Sequence, residues 1–135
     1  MILVDAGPLV ALIDRGERSH EDCVTALESL TAPMLTTWPA LTEAMYLLGD
    51  AGGWPAQDAL WKLVERDDLR VVELDECLRK RARTLMAKYR DRPMDLADAS
   101  LVAIAEELGL KRVFTLDADF RVYRLKGKGR FEIVP

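Results

Sequence analysis

Several carboxylates in this sequence stand where packing alone favours other residues. Asp5 closes the apolar run MILVD, and Asp117 and Asp119 follow the run RVFTL within TLDADF. Glu43 lies inside PALTEAMYLL, where helical spacing sets it on one face with Ala40, Ala44 and Leu47. In PMDLADASLVAIA, Asp95 and Asp98 are three residues apart on one helix face, and Asp98 shares its stripe with Leu101, Val102 and Ala105. Each acid also has an ordinary explanation. Asp5 can cap a helix that begins near Pro8, Asp95 can cap the next with Asp98 as its capping partner, Glu43 can swing out to solvent, and Asp117 and Asp119 suit a turn. Their joint placement, some after strands and some facing inward from helices, points to convergence. Converging carboxylates cannot all ionise unaided, because two unit charges about 4 Å apart repel by roughly 4 kcal/mol at an effective dielectric near 20. A divalent cation resolves that conflict, and an all-oxygen site suits Mg²⁺ or Mn²⁺ rather than zinc. Such an ion can activate water and stabilise the oxyanions of phosphodiester cleavage. The sole histidine, His20, sits among charged residues at a helix start and reads as a surface side chain rather than a catalytic base.

The elements that must position these acids follow from periodicity and punctuation. Residues 1–5 read as a buried strand, followed by a helix with Pro8 near its first position. Ser19 opens a helix through Leu30, and Met34 to Thr37 form a second strand. Residues 39–48 are helical and are closed by Gly49, Gly52 and Gly53; Trp54-Pro55 starts another helix with Ala59, Leu60, Leu63 and Val64 on its apolar stripe. RVVEL at 70–74 is a third strand, and Asp75 to Arg90 a basic helix that turns Leu78, Ala82, Leu85 and Met86 inward. DRPMD is a loop, 95–108 an apolar helix ended by Gly109, RVFTL a fourth strand, and FEIV a final strand after a basic loop. Strands alternating with helices imply an α/β fold with a mostly parallel sheet covered on both faces. In such sheets ligands collect beyond the carboxyl ends of the strands, where Asp5 and Asp117 fall.

Bulk properties narrow the function classes. A chain of 135 residues, half of them hydrophobic, is expected to form one domain over 1–135 with a core that needs no staple. Cys23 and Cys77, without a CxxC or a neighbouring His, read as reduced core cysteines. No export or membrane segment is visible, which suggests a cytoplasmic protein without membrane contact. A net charge of −4 argues against holding nucleic acid by bulk charge, so RNA phosphates would need local cations. Arg121, Arg124, Lys126, Lys128 and Arg130 form one such cluster beside the acidic turn. Arg79, Lys80, Arg81, Arg83 and Lys88 form another, for which a solvated helix face is the simpler account.

The segments MILVDAGPLVALID, LTEAMYLL, PMDLADASLVAIAEELG and VFTLDADF, in this order over almost the whole chain, resemble PIN-domain proteins, especially the toxins of VapBC toxin–antitoxin pairs. The resemblance implies a Rossmann-like sheet whose carboxyl edge carries an acidic Mg²⁺ or Mn²⁺ site. It carries the family's four acids onto Asp5, Glu43, Asp98 and Asp117, with Asp95 as an additional acid and Thr115 as a nearby hydroxyl. TLDADF looks one residue shorter than the family's usual spacing, so Asp117 and Asp119 can exchange roles. The implied activity is endoribonuclease cleavage of RNA by metal-activated water, with a cognate antitoxin as protein partner and a homodimer formed through the early helices. The competing reading is a non-catalytic PIN-like scaffold that binds RNA or protein. A receiver-type signalling domain fits less well, since Asp5 is alone and Asp117, not a lysine, follows RVFTL.

Overall fold

The computed structural model describes residues 1–126 and 129–135. Lys128, one of the basic candidates, lies outside the described residues. Five parallel strands make the central sheet: β1 (Ile2–Val4), β2 (Met34–Thr37), β3 (Leu69–Val72), β4 (Arg112–Phe114) and, at the far edge, β7 (Glu132–Val134). Their order is β3-β2-β1-β4-β7. β1 is therefore central, with Leu3 opposite both Leu35 and Val113. All three β1 side chains are fully buried, which accounts for an unbroken apolar run instead of an alternating one.

Alternate strand residues feed two cores. Ile2, Val4, Met34 and Phe114 pack with α1 (Ala6–Ile13), α2 (His20–Ser29) and α3 (Trp38–Glu65). Leu3, Leu35 and Val113 pack with α4 (Glu76–Lys88) and α5 (Leu96–Leu108) on the opposite face. α5 is buried continuously from Ala97 to Ala105, and its many alanines let α4 and the sheet approach it closely. The two helices read around residues 39–65 both form within α3 and meet at Gly53, whose φ of 66° and ψ of −158° break the helical run before Pro55. The basic loop after Asp117 contains structure not visible in the periodicity. A 3₁₀ turn over Ala118–Arg121 leads into a small antiparallel hairpin, β5 (Arg124–Leu125) with β6 (Gly129–Arg130). Strand β4 also ends earlier than RVFTL suggests, at Phe114, so Thr115 and Leu116 belong to the turn that enters the site. Among the described residues, no helix is long and apolar enough to cross a membrane.

Candidate active site

Asp5, Asp98 and Asp117 each bring a carboxylate oxygen within 4.8 Å of the other two. Their convergence follows from topology: β1 and β4 are adjacent and parallel, so the residues just past their ends meet, and α5 begins above that edge. Glu43 and Asp95 line the same cleft, of about 270 Å³, with Leu47, Gly7 and Leu116 completing its wall. Five of the six acids read from the sequence as site candidates therefore share one cleft, and Asp119 is not among its lining residues.

The capping roles hold at the same time. Asp5 caps α1, its Oδ1 accepting from the Ala6 N–H at 2.8 Å. Its Oδ2 accepts from the Thr115 hydroxyl at 2.9 Å. The same hydroxyl oxygen accepts from the Asp117 N–H at 3.0 Å, which ties the β4 turn to the end of β1. Asp95 caps α5 by accepting from the Asp98 N–H, and Asp117 caps the 3₁₀ turn by accepting from the Asp119 N–H. The caps hold these carboxylates in place, and their remaining lone pairs stay available to a cation. Asp119 does not join the cluster; its Oδ1 pairs with Arg92 at 2.9 Å.

The electrostatics are those of a site short of positive charge. At 4.8 Å, each ionised pair among the three acids repels by about 3.5 kcal/mol at an effective dielectric near 20. Burial pushes the Asp98 carboxyl up to about 8, aided by the charges of Asp5, Asp95 and Asp117 and opposed by a hydrogen bond from Tyr123. Burial also raises Asp5, against the opposing bonds from Thr115 and Ala6, and raises Glu43, with Asp95, Asp5 and Asp117 adding to it. An all-carboxylate donor set, joined by no His or Cys among the described residues, fits a hard divalent cation and not a thiophilic one.

Other candidates are dispersed. Arg121, Lys126 and Arg130 are exposed, but the Arg124 guanidinium is engaged by the carbonyls of Arg121, Val122 and Tyr123. Lys126 borders a shallow cavity with Gly109 and Lys111, at the C-terminal end of α5. That end lies about 16 Å from Asp98 at 1.5 Å per residue, so the basic run does not gather as a whole at the acids. In the basic helix, Arg81 makes a two-pronged bridge to the buried Glu106 of α5 at 2.8 and 3.0 Å, a packing role. His20 is half-buried, its Nδ1 2.6 Å from the Ala11 carbonyl oxygen, where it links α2 to α1. Cys23 is a core cysteine as expected, whereas Cys77 is exposed near the start of α4 and not in the core. The sequence reading missed Tyr123, which hydrogen-bonds Asp98 from 25 residues away. Nothing in a lone tyrosine between Val122 and Arg124 marks it.

Comparison with known proteins agrees with this architecture. The chain is 24% identical to ribonuclease VapC26 of Mycobacterium tuberculosis over 135 residues, covering 99% of this chain and 100% of the relative. The crystal structure of M. tuberculosis VapC20, described as a Sarcin-Ricin loop cleaving toxin, superposes with a TM-score of 0.88 at 22% identity over 100% of both chains. VapBC2 from Rickettsia felis, bound to a DNA fragment from its promoter, gives 0.71 at 12% identity, again over 100% of both chains. The PIN domain family model matches residues 2–126, and the chain belongs to that family.

Proposed function

We propose that this chain is a metal-dependent endoribonuclease and the toxin of a toxin–antitoxin pair. The observation that carries this reading is the convergence of Asp5, Asp98 and Asp117 at the carboxyl edge of the sheet. The names of its relatives support it: one is a ribonuclease, another an RNA-cleaving toxin, and a third a toxin–antitoxin complex from Klebsiella pneumoniae. RNA is the substrate, a cognate antitoxin the protein partner, and the enzyme is a homodimer.

In this reading Asp5, Asp98 and Asp117 hold Mg²⁺ or Mn²⁺, and Glu43 and Asp95 complete the rim. The bound ion supplies Lewis acidity toward the phosphodiester and offsets the crowded negative charge. Asp5 is held in one orientation by Thr115 and Ala6, so it needs no reorganisation to ligate. Glu43 lines the cleft and accepts no hydrogen bond from the described residues, which leaves its carboxylate free to take a proton from water. Exposed Arg121, immediately after the acidic turn, is the cation best set to meet RNA phosphate.

The test is cleavage of a panel of structured RNAs by the purified protein with Mg²⁺, Mn²⁺ or chelator, beside Asp5→Asn. Cleavage should require metal and fall by more than about a hundredfold in the variant, beyond what outer-shell changes give. Equal behaviour of both proteins in every condition would overturn the catalytic reading in favour of a binding scaffold.

A further inference from the structure

Tyr123 is fully buried, and its hydroxyl donates to Asp98 Oδ2 at 2.8 Å. Two aromatic rings and a backbone hydrogen bond hold this residue. Tyr89 packs against it edge-on at 5.1 Å, Phe120 at 5.2 Å, and the Tyr123 backbone N–H donates to the Asp119 carbonyl. The Tyr89 hydroxyl in turn accepts from the Arg124 N–H at 3.0 Å, pinning the chain directly after Tyr123. The other Asp98 oxygen takes no donor from the described residues. No buried side-chain oxygen or nitrogen among them lacks a partner, so that oxygen opens to the cleft Asp98 lines.

We propose that Tyr123 is a positioning residue for the metal centre, clamping Asp98 by one oxygen so that the other faces the cation. This rests on the metal-centre reading above. Without the clamp, the Asp98 carboxylate can rotate about its last bond, and neither oxygen has a fixed direction. Loss of an outer partner of a ligand of this kind weakens metal binding by about 10–100-fold. Thr115 likewise fixes Asp5, whose two oxygens accept from the Thr115 hydroxyl and the Ala6 N–H, so two of the three converging acids are each held by a buried hydroxyl.

The experiment is titration of the metal-free protein with Mn²⁺, reading free Mn²⁺ by electron paramagnetic resonance, for wild type, Tyr123→Phe, Asp98→Asn and Phe131→Leu. Phe131 packs on Phe120, one ring removed from Tyr123, and serves as the packing control. Tyr123→Phe is expected to bind Mn²⁺ about 10–100-fold more weakly, and Phe131→Leu to lower Tm with its Mn²⁺ affinity unchanged. Wild-type affinity in Tyr123→Phe beside a large loss in Asp98→Asn overturns the positioning role alone. Unchanged affinity in both overturns the metal centre and the clamp together. Should Tyr123→Phe fail to fold, wild-type protein carrying 3-fluorotyrosine decides: the ¹⁹F resonance of residue 123 must move on Mg²⁺ saturation, and a static resonance overturns the proposal.

Discussion

Burial pushes the Asp98 carboxyl well above the ordinary carboxylate range, and the consequence for stability has a definite sign. The group titrates near 8 in the folded chain against 3.8 without the fold. Between those values the folded state keeps a proton that the unfolded state has released, so raising the pH favours unfolding. The stabilisation is complete below about pH 4 and is lost as the pH rises through about 8. In chelator, the Tm of wild type should therefore fall more steeply between about pH 5 and 8 than that of Asp98→Asn, which has no proton to lose. Saturating Mg²⁺ should flatten the wild-type curve, because a cation favours the carboxylate. Parallel curves for the two proteins in chelator would contradict the assignment. At this scale the acids were legible and their double use was not. Capping and convergence look like rival explanations in a sequence, yet Asp5, Asp95 and Asp117 each accept from a backbone N–H while still lining the cleft. The hydroxyls divide differently. Thr115 sits two residues before Asp117 and could be nominated, whereas Tyr123 reaches Asp98 only through the packing of Tyr89 and Phe120, which no local pattern encodes.

Helices and strands were readable in proportion to their length. The 3.6-residue periodicity of α4 and α5 spans several turns, and both appear where it predicts. The hairpin β5–β6 has two residues per strand, too few for any alternation to register, and so its segment reads as a loop. The α3 bend was announced by GDAGGWP, since only glycine tolerates the backbone that Gly53 adopts. That claim has a built-in comparison. Gly53 and Gly109 share a φ of 66°, but ψ is −158° at Gly53 and 31° at Gly109. The second is the left-handed helix terminus that other residues visit at a cost of about 1–2 kcal/mol. The first is a region essentially closed to side chains, where the cost rises toward about 3 kcal/mol. Added methyl groups meet little at either place: Pro55 Cδ at 3.9 Å for Gly53, and nothing within 4 Å for Gly109. Urea unfolding of Gly53→Ala and Gly109→Ala thus compares backbone strain alone, and Gly53→Ala should be the more destabilised. The reverse order would mean that α3 straightens to accommodate the change.

Across the whole molecule, the alternation of strands and helices was enough for a parallel sheet covered on both faces, but not for the order β3-β2-β1-β4-β7. That order depends on which crossovers pass over which strands, and the PIN resemblance supplied the expectation of a Rossmann-like arrangement. The surface adds a feature that periodicity also left unplaced. Trp38, Tyr46 and Trp61 are 39%, 73% and 37% exposed along α3, around a shallow apolar depression with Leu41 and Met45. Leu96 of α5, half exposed, extends the apolar surface toward Glu43 and Asp95 at the rim of the cleft. Exposed aromatics are thus concentrated on α3 and not on the first two helices, which a dimer through the early helices would otherwise favour. Contiguous apolar surface of this kind marks association, and aromatic side chains are enriched in the buried centres of interfaces. A two-fold dimer presents the same patch from both subunits, so one substitution acts twice across the interface. Tyr46→Glu would bury two unpaired carboxylates there, at a cost of several kcal/mol, against almost none in a free monomer where Tyr46 is already exposed. By light scattering after gel filtration, wild type should be a dimer and Tyr46→Glu a monomer with an unchanged circular dichroism spectrum. If Tyr46→Glu remains dimeric, the pairing surface lies elsewhere. If wild type is itself monomeric, the homodimer fails and the α3 face is left for a different partner, the proposed antitoxin being the first to test.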